Sequence, residues 1–328
     1  MWNKAEYAVA GRGHVLSGTP CQDMTMTYKG RAATVAALAD GAGSAAMSHY
    51  GARAAVQFVS RQLGEYFDEY YNETSITAVK DRLMCGLWDT LDGVREEIGC
   101  GLKDLASTLL AVAVSGNRYI AFHIGDGVIG YMRNGRMLTA SGPDNGEFAN
   151  ETVFTTSASA YRRLRVYKGR AKEIEGFVLM SDGTEHSLYN KRTETLSDGV
   201  GRIIERTAIC SERTMSRMLR DSMQTITERT LDDCSIAVLS RAEAFPSIFT
   251  MNSKEQSRRL KAERRKRGPK KYVKRAMELL QMSMEGVSPN RQTSRSMYTR
   301  PKSIRRTLVD LNKKGLVDYE DGKYWYVF

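Results

Sequence analysis

Thr34-Val35-Ala36-Ala37-Leu38-Ala39-Asp40-Gly41-Ala42-Gly43-Ser44 is the stretch around which the rest of the chain is organised. Six small or apolar residues run unbroken into Asp-Gly, the pattern of a buried strand that carries a carboxylate to a turn. Glycine at 41 and 43 predicts a close approach of the backbone to a neighbour, because neither residue has a Cβ. A single Asp-Gly is an ordinary turn former. Repetition changes the reading. Ala121-Phe122-His123-Ile124 runs into Gly125-Asp126-Gly127, and Phe177-Val178-Leu179-Met180 into Ser181-Asp182-Gly183. Leu231-Asp232-Asp233-Cys234 precedes the apolar run Ile236-Ala237-Val238-Leu239. Carboxylates at four strand ends converge if those strands share a sheet edge. Such a cluster repels itself unless a cation lies within it. Oxygen ligands favour Mg²⁺ or Mn²⁺, and the four histidines (14, 49, 123 and 186) show no zinc-ligand spacing.

In chain order, Gly18-Thr19-Pro20-Cys21-Gln22-Asp23, Asp40-Gly41-Ala42-Gly43-Ser44, Gly125-Asp126-Gly127, Asn150-Glu151-Thr152-Val153-Phe154, Ser181-Asp182-Gly183 and Asp232-Asp233-Cys234-Ser235 form an ordered set. This set resembles the type 2C, metal-dependent protein phosphatases, and within them a bacterial subgroup, over residues 5 to 240. The resemblance implies an α/β fold, a four-layer α-β-β-α sandwich with its metal site between the sheets at one end. It implies hydrolysis of phosphoserine or phosphothreonine in a phosphoprotein, and a cognate serine/threonine kinase as a possible partner. It further implies two divalent ions, Mn²⁺ or Mg²⁺, bridged by Asp40. The Gly41 carbonyl would bind one ion, Asp182 and Asp232 the other, and Asp126 falls where many bacterial members hold a third. Hydroxide generated at the ions would attack phosphorus, so no nucleophilic side chain is needed. Asp23 would orient bound water, with Gln22 and Asp233 as further residues around the ligands.

Two departures stand out. Many members carry Glu where Gln22 stands, which removes a charge near one ion. Many also carry a phosphate-contacting Arg five residues before Asp23, where this chain has Gly18. Arg12 and His14 are candidates to replace that substrate contact, with Arg162 and Arg163 as alternatives.

At 328 residues the chain suggests one large domain and one small one. Charge marks the division. Residues 1–242 hold 28 Lys and Arg against 29 Asp and Glu, while 243–328 hold 21 against 9. The expected organisation is a phosphatase domain over 1–242, a basic linker over 243–270 and a small domain over 271–328. In the last of these, Val273, Ala276, Met277 and Leu280 suggest one helix, and Pro301 opens another with Ile304, Leu308 and Leu311 on one face. Two apolar segments around Asp321-Gly322 then suggest a hairpin. Helix, Gly315 and hairpin resemble a winged-helix domain. Lys302, Arg305, Arg306, Lys313 and Lys314 would be its nucleic-acid contacts, with protein docking as the alternative use. A regulator that binds DNA and senses a ligand through a phosphatase-like domain is the competing reading of the whole chain.

Upstream, Ala55, Phe58, Val59 and Leu63 mark a helix face, and Ile76 through Ile98 step by three or four along a second helix. Leu109–Val114, Tyr119–Ile124 and Val128–Arg133 read as strands, the last closed by Asn134-Gly135. Five scattered cysteines (21, 85, 100, 210 and 234) without a C-x-x-C read as reduced thiols. Met1-Trp2-Asn3-Lys4 begins no apolar leader and no run of 18 apolar residues exists, so a cytoplasmic protein without a membrane partner is expected.

Overall fold

The run Thr34–Ala39 is a strand buried along its whole length. Alternate side chains explain why no polar residue interrupts it. Ala36 and Leu38 face Leu110, Val112, Phe177 and Leu239 in the core between two sheets. Val35, Ala37 and Ala39 face the opposite way, into a second core shared with Val59, Leu63, Leu83 and Leu87. These four lie on the helices Ser48–Asn72 and Ile76–Ile98, the amphipathic pair expected from periodicity.

The computed structural model describes residues 1–144, 152–210, 212–245, 251–262, 268–284, 293, 297, 300–314, 316–320 and 323–326. It divides into two compact units, Met1–Ala208 with Met215–Ala242, and Ile209–Thr214 with Glu243–Phe328. In the first unit one antiparallel sheet runs in the order Met24–Lys29, Thr34–Ala39, Leu109–Ser115, Arg118–Ile124, Arg165–Arg170. The other, also antiparallel, runs Trp2–Val9, Cys234–Arg241, Ile174–Met180, Val128–Arg133, Arg136–Ser141. On the outer face of this second sheet Ile204, from the helix Asp198–Ile209, lies over Gly176. Helices, sheet, sheet and helices therefore stack in four layers, the expected α-β-β-α sandwich. Asn134 and Gly135 both adopt positive φ, 51° and 71°, which is the hairpin turn expected between Val128–Arg133 and Arg136–Ser141.

Register brings the acidic motifs to one end. Met24 pairs with Ala39, so Asp23 and Asp40 leave their strands side by side. Leu109 pairs with Ile124, which sets Thr108 beside the Gly125-Asp126 turn. In the facing sheet Met180 pairs with Ile236 and Val9 with Cys234, so Asp182, Asp232 and Asp233 emerge together.

The second unit holds the helices Ser253–Arg259, Pro269–Met284 and Pro301–Lys313 and an antiparallel hairpin, Val317–Glu320 with Lys323–Tyr326. Its core gathers Tyr272, Ala276, Leu280, Ile304, Leu308 and Leu311. Leu260 and Ala262 belong to that core too. The segment expected as a basic linker over 243–270 is thus folded in part, because apolar residues punctuate its charges. Asn150, Glu151, the basic run Arg264–Arg267, Gly315 and the Asp321-Gly322 turn lie outside the described residues. Among the described residues no helix is long and apolar enough to cross a membrane.

Candidate metal centre

Asp40 is clamped at the end of its strand by Thr108. Its N–H donates to Thr108 Oγ1 at 2.9 Å, and its carbonyl accepts the Thr108 N–H at 2.8 Å. The Gly41 N–H then donates to the Gln22 carbonyl at 3.2 Å. A Cβ at Gly41 would stand 2.8 Å from Ser48 Oγ and 2.9 Å from the Gln22 carbonyl oxygen, closer than real Cβ atoms come. Crowding therefore requires glycine there. At Gly43 a Cβ would meet only Gln22 Oε1, at 3.9 Å, so the close approach expected at both glycines occurs at 41 alone.

From the facing sheet, Asp182 opens the helix Asp182–Leu188, and its Oδ1 accepts the Gly183 N–H at 2.6 Å. Asp232 Oδ1 accepts the Asp233 N–H at 3.0 Å. Asp126 Oδ2 accepts the Thr152 hydroxyl at 2.6 Å. These residues line one cavity of about 200 Å³, together with His14, Gln22, Gly41, Ala42, Gly43, Thr108, Phe154 and Asp233.

Arg12 is not among the lining residues. It is exposed, and its Nε donates to the Thr230 carbonyl at 3.4 Å. Arg162 and Arg163 line a larger neighbouring groove of about 630 Å³, which shares Ala42, Thr152 and Phe154 with the acidic cavity.

Electrostatics follow from crowding acids into a buried place. Burial pushes the Asp40 carboxyl well above the usual range, and Asp23, Asp182 and Asp232 add repulsion. Burial, then repulsion by Asp182, raises the Asp232 carboxyl. Burial also raises Asp126, against the opposing hydrogen bond from Thr152. Asp23 is 2 % exposed, and burial lifts its carboxyl to about 7. The nearby Ser235 and Ser181 hydroxyls offset this only in part, since no donor meets hydrogen-bond geometry at either Asp23 oxygen.

The family model of protein phosphatase 2C matches residues 10–230. The chain belongs to the protein phosphatase 2C family. Serine/threonine-protein phosphatase 3 of Escherichia coli (strain K12) is 26 % identical over 204 residues, covering 58 % of this chain and 76 % of that protein. Among solved structures, the Streptococcus agalactiae (S. agalactiae) serine/threonine phosphatase superposes with a TM-score of 0.52 at 17 % identity, over 73 % of this chain and 99 % of the other. PppA of Pseudomonas aeruginosa superposes at 0.51 and 18 %, over 73 % and 97 %. These two likenesses show the fold.

Protein phosphatase 2C enzymes use two Mn²⁺ or Mg²⁺ ions, and the residues present suit such ions. The donors are oxygens throughout, which hard cations prefer. The buried oxygens of Asp23 lack donors, as expected of a carboxylate that serves a hydrated cation. Among the described residues no three or more His, Cys, Asp or Glu side chains are grouped so as to hold a metal ion unaided. Water and backbone oxygen would complete the shell, as is usual for Mg²⁺.

Around the acidic cavity, three side chains brace the motifs against one another. Thr108 clamps Asp40 across the sheet, and only strand register reveals it. Ser181 Oγ accepts the Ser235 N–H at 3.1 Å, bracing the two facing-sheet motifs against each other. Asp233 differs from its neighbour Asp232. Buried at 2 % exposure, it accepts the Gly11 N–H at 2.7 Å on Oδ1 and the Gln22 N–H at 2.6 Å on Oδ2.

Proposed function

We propose that the acidic cavity is the catalytic centre of a metal-dependent serine/threonine phosphoprotein phosphatase, with Asp40, Asp182 and Asp232 as its central carboxylates. The observation that carries this reading is the convergence of those three and Asp126 on one cavity from the ends of two sheets. Asp40 lies between the acids of both sheets and would serve two ions. Asp182 and Asp232 would hold one of them, the Gly41 carbonyl the other, and Asp126 a third. When bound, these cations supply a nucleophilic water near neutral pH and offset phosphoryl charge. The chain's own contribution is positional. Thr108 fixes Asp40, backbone N–H groups fix Asp182 and Asp232, and Asp23 stands ready to accept from water. Gln22 brings a neutral amide where many relatives bring a carboxylate. Hydrolysis of phosphoserine and phosphothreonine peptides should require Mn²⁺ or Mg²⁺ and stop in excess EDTA. Turnover that persists without divalent metal would overturn the assignment.

A second reading concerns the basic unit, as a winged-helix-like module that binds DNA. Lys302, Arg305, Arg306 and Lys313 are exposed on the helix Pro301–Lys313, whose apolar face is buried, and this supports contact with a polyanion. Lys314 is differently placed. Its ammonium pairs with Asp310 at 2.5 Å and donates to the Tyr272 hydroxyl at 3.2 Å, which ties it into the unit's own packing. Fluorescence anisotropy on duplex DNA at low salt is the test. Absence of binding there leaves docking of a protein, such as a cognate kinase, as the use of the unit. Both uses suit a cytoplasmic enzyme.

A further inference from the structure

His14 stands in the acidic cavity for a reason that metal binding does not use. The short helix Arg12–Ser17 carries it there. The Gly13 N–H ties that helix to the Leu231 carbonyl at 3.0 Å, beside Asp232. The imidazole Nδ1 lies 2.8 Å from Asp233 Oδ1. Both oxygens of Asp233 also accept backbone N–H groups, from Gly11 and Gln22, which is the arrangement of a carboxylate. A carboxylate can only accept, so Nδ1 carries the hydrogen of that bond. His14 itself lines the cavity, and Nε2 is the ring nitrogen that Asp233 does not engage. The ring is 22 % exposed, open enough to meet a substrate.

The other lining side chains are carboxylates, an amide, hydroxyls, small apolar groups and a phenyl ring. None of these is suited to give a proton near neutral pH while the carboxylates hold cations. Imidazole is. A buried carboxylate on one nitrogen and a reacting group at the other is how an imidazole is oriented for proton transfer.

We propose that His14 is the general acid of the reaction, positioned by Asp233, a role that rests on the phosphatase reading above. In the step, the bond from phosphorus to the seryl or threonyl oxygen breaks as the bond from phosphorus to the attacking water's oxygen forms. The electron pair of the broken bond stays on the departing oxygen, which takes the proton from His14 Nε2. The attacking water loses one proton to solvent, and solvent returns one to His14. The products are the free hydroxyl residue and inorganic phosphate. Asp233 keeps its hydrogen bonds throughout and offsets the charge of the imidazolium before transfer.

The test compares two leaving groups with the full chain in saturating Mn²⁺. Nitrophenolate departs without a proton, whereas a seryl alkoxide needs one. His14→Ala and His14→Gln should lower kcat on a phosphoserine peptide by about 10²-fold or more, the usual reach of general acid catalysis. On p-nitrophenyl phosphate the loss should be at least ten-fold smaller, with KM little changed for either ester. Imidazole added to His14→Ala should restore part of the peptide rate. Independently of turnover, ¹⁵N-edited NMR of the metal-free wild type should show a hydrogen-bonded proton on Nδ1 of His14, assigned by its absence in His14→Gln. Equal losses on both esters, or a raised KM with kcat kept, would make His14 a phosphate contact and overturn the proposal. A bare Nδ1 would overturn it as well. If the wild type hydrolyses neither ester, the phosphatase reading itself fails, and this role with it.

Discussion

The two units place charge in opposite ways. In the larger one, basic and acidic residues nearly cancel, yet Asp23, Asp40, Asp126, Asp182, Asp232 and Asp233 crowd one end of the sandwich. In the smaller one the excess is positive, and on the helix Pro301–Lys313 it stands largely on the exposed face. Buried like charges interact strongly through a low dielectric and give sharp, position-specific chemistry. Exposed ones are screened and act as a sum. The difference teaches where to expect a single decisive residue and where to expect none.

The hardest blow to this contrast is Asp40→Asn. One carboxylate is proposed to serve two ions, so phosphopeptide hydrolysis should fall by more than ~10³-fold, the scale on which an essential electrostatic group acts. The metal-free variant should unfold no earlier than the wild type, because one repelling carboxylate is gone. Wild-type turnover in saturating Mn²⁺ would break the binuclear assignment.

In the basic unit the expected effects are graded. Deleting residues 254–328 should remove DNA affinity and leave phosphopeptide hydrolysis intact. Single replacements of Lys302, Arg305, Arg306 or Lys313 by Ala should each weaken binding modestly and reduce the log-log salt slope by about 0.9 per lost phosphate contact. A single replacement that abolished binding would show that this unit, too, depends on one residue.

Metal removal sharpens the comparison through pH. Burial lifts the Asp23 carboxyl from 3.8, its ordinary value, to about 7, so between these values the folded metal-free protein holds a proton that the unfolded chain releases. That contribution to stability is complete below pH 3.8 and is lost as pH rises toward about 7. The Tm of EDTA-treated protein should therefore drop by several degrees across this window, taking ~2–4 °C per kcal/mol for a domain of this size. Asp23→Asn should flatten the drop, and Mn²⁺ should reverse it. A metal-free Tm that climbs over the same window would contradict the buried-acid account.

The smallest effect belongs to Gln22. Its side chain is 5 % exposed and lines the cavity, so Gln22→Glu should lower the Mn²⁺ concentration for half-maximal rate by a few-fold, on the order of a single added charge–charge contact. An unchanged requirement would mean that position 22 does not meet the ions.

Much of this architecture was legible because local pattern and global fold agree. The unbroken run into Asp40 reads as a strand buried on both faces, and it is one. The helix faces around Val59 and Leu83 follow from spacing alone. The motif match separates Asp232 from Asp233, but what Asp233 holds was not legible. Its partners Gly11 and Gln22 lie more than 200 residues away in the chain, and only folding brings them to its two oxygens. Thr108 was hidden for the same reason, since it acts on a residue that lies far away in the chain. The folded stretch at Leu260 and Ala262 was masked by the basic residues around it.

The pairing of Trp2–Val9 with Cys234–Arg241 has a consequence in time. During synthesis the first strand must wait for the last before its edge is covered. Asp232 and Asp233 arrive with that same late segment, so the nascent chain carries no complete cavity until residue 241 has been made. Contacts so distant in sequence also make closure slow. Competence to hydrolyse would therefore arrive with completion of the sandwich, not before it.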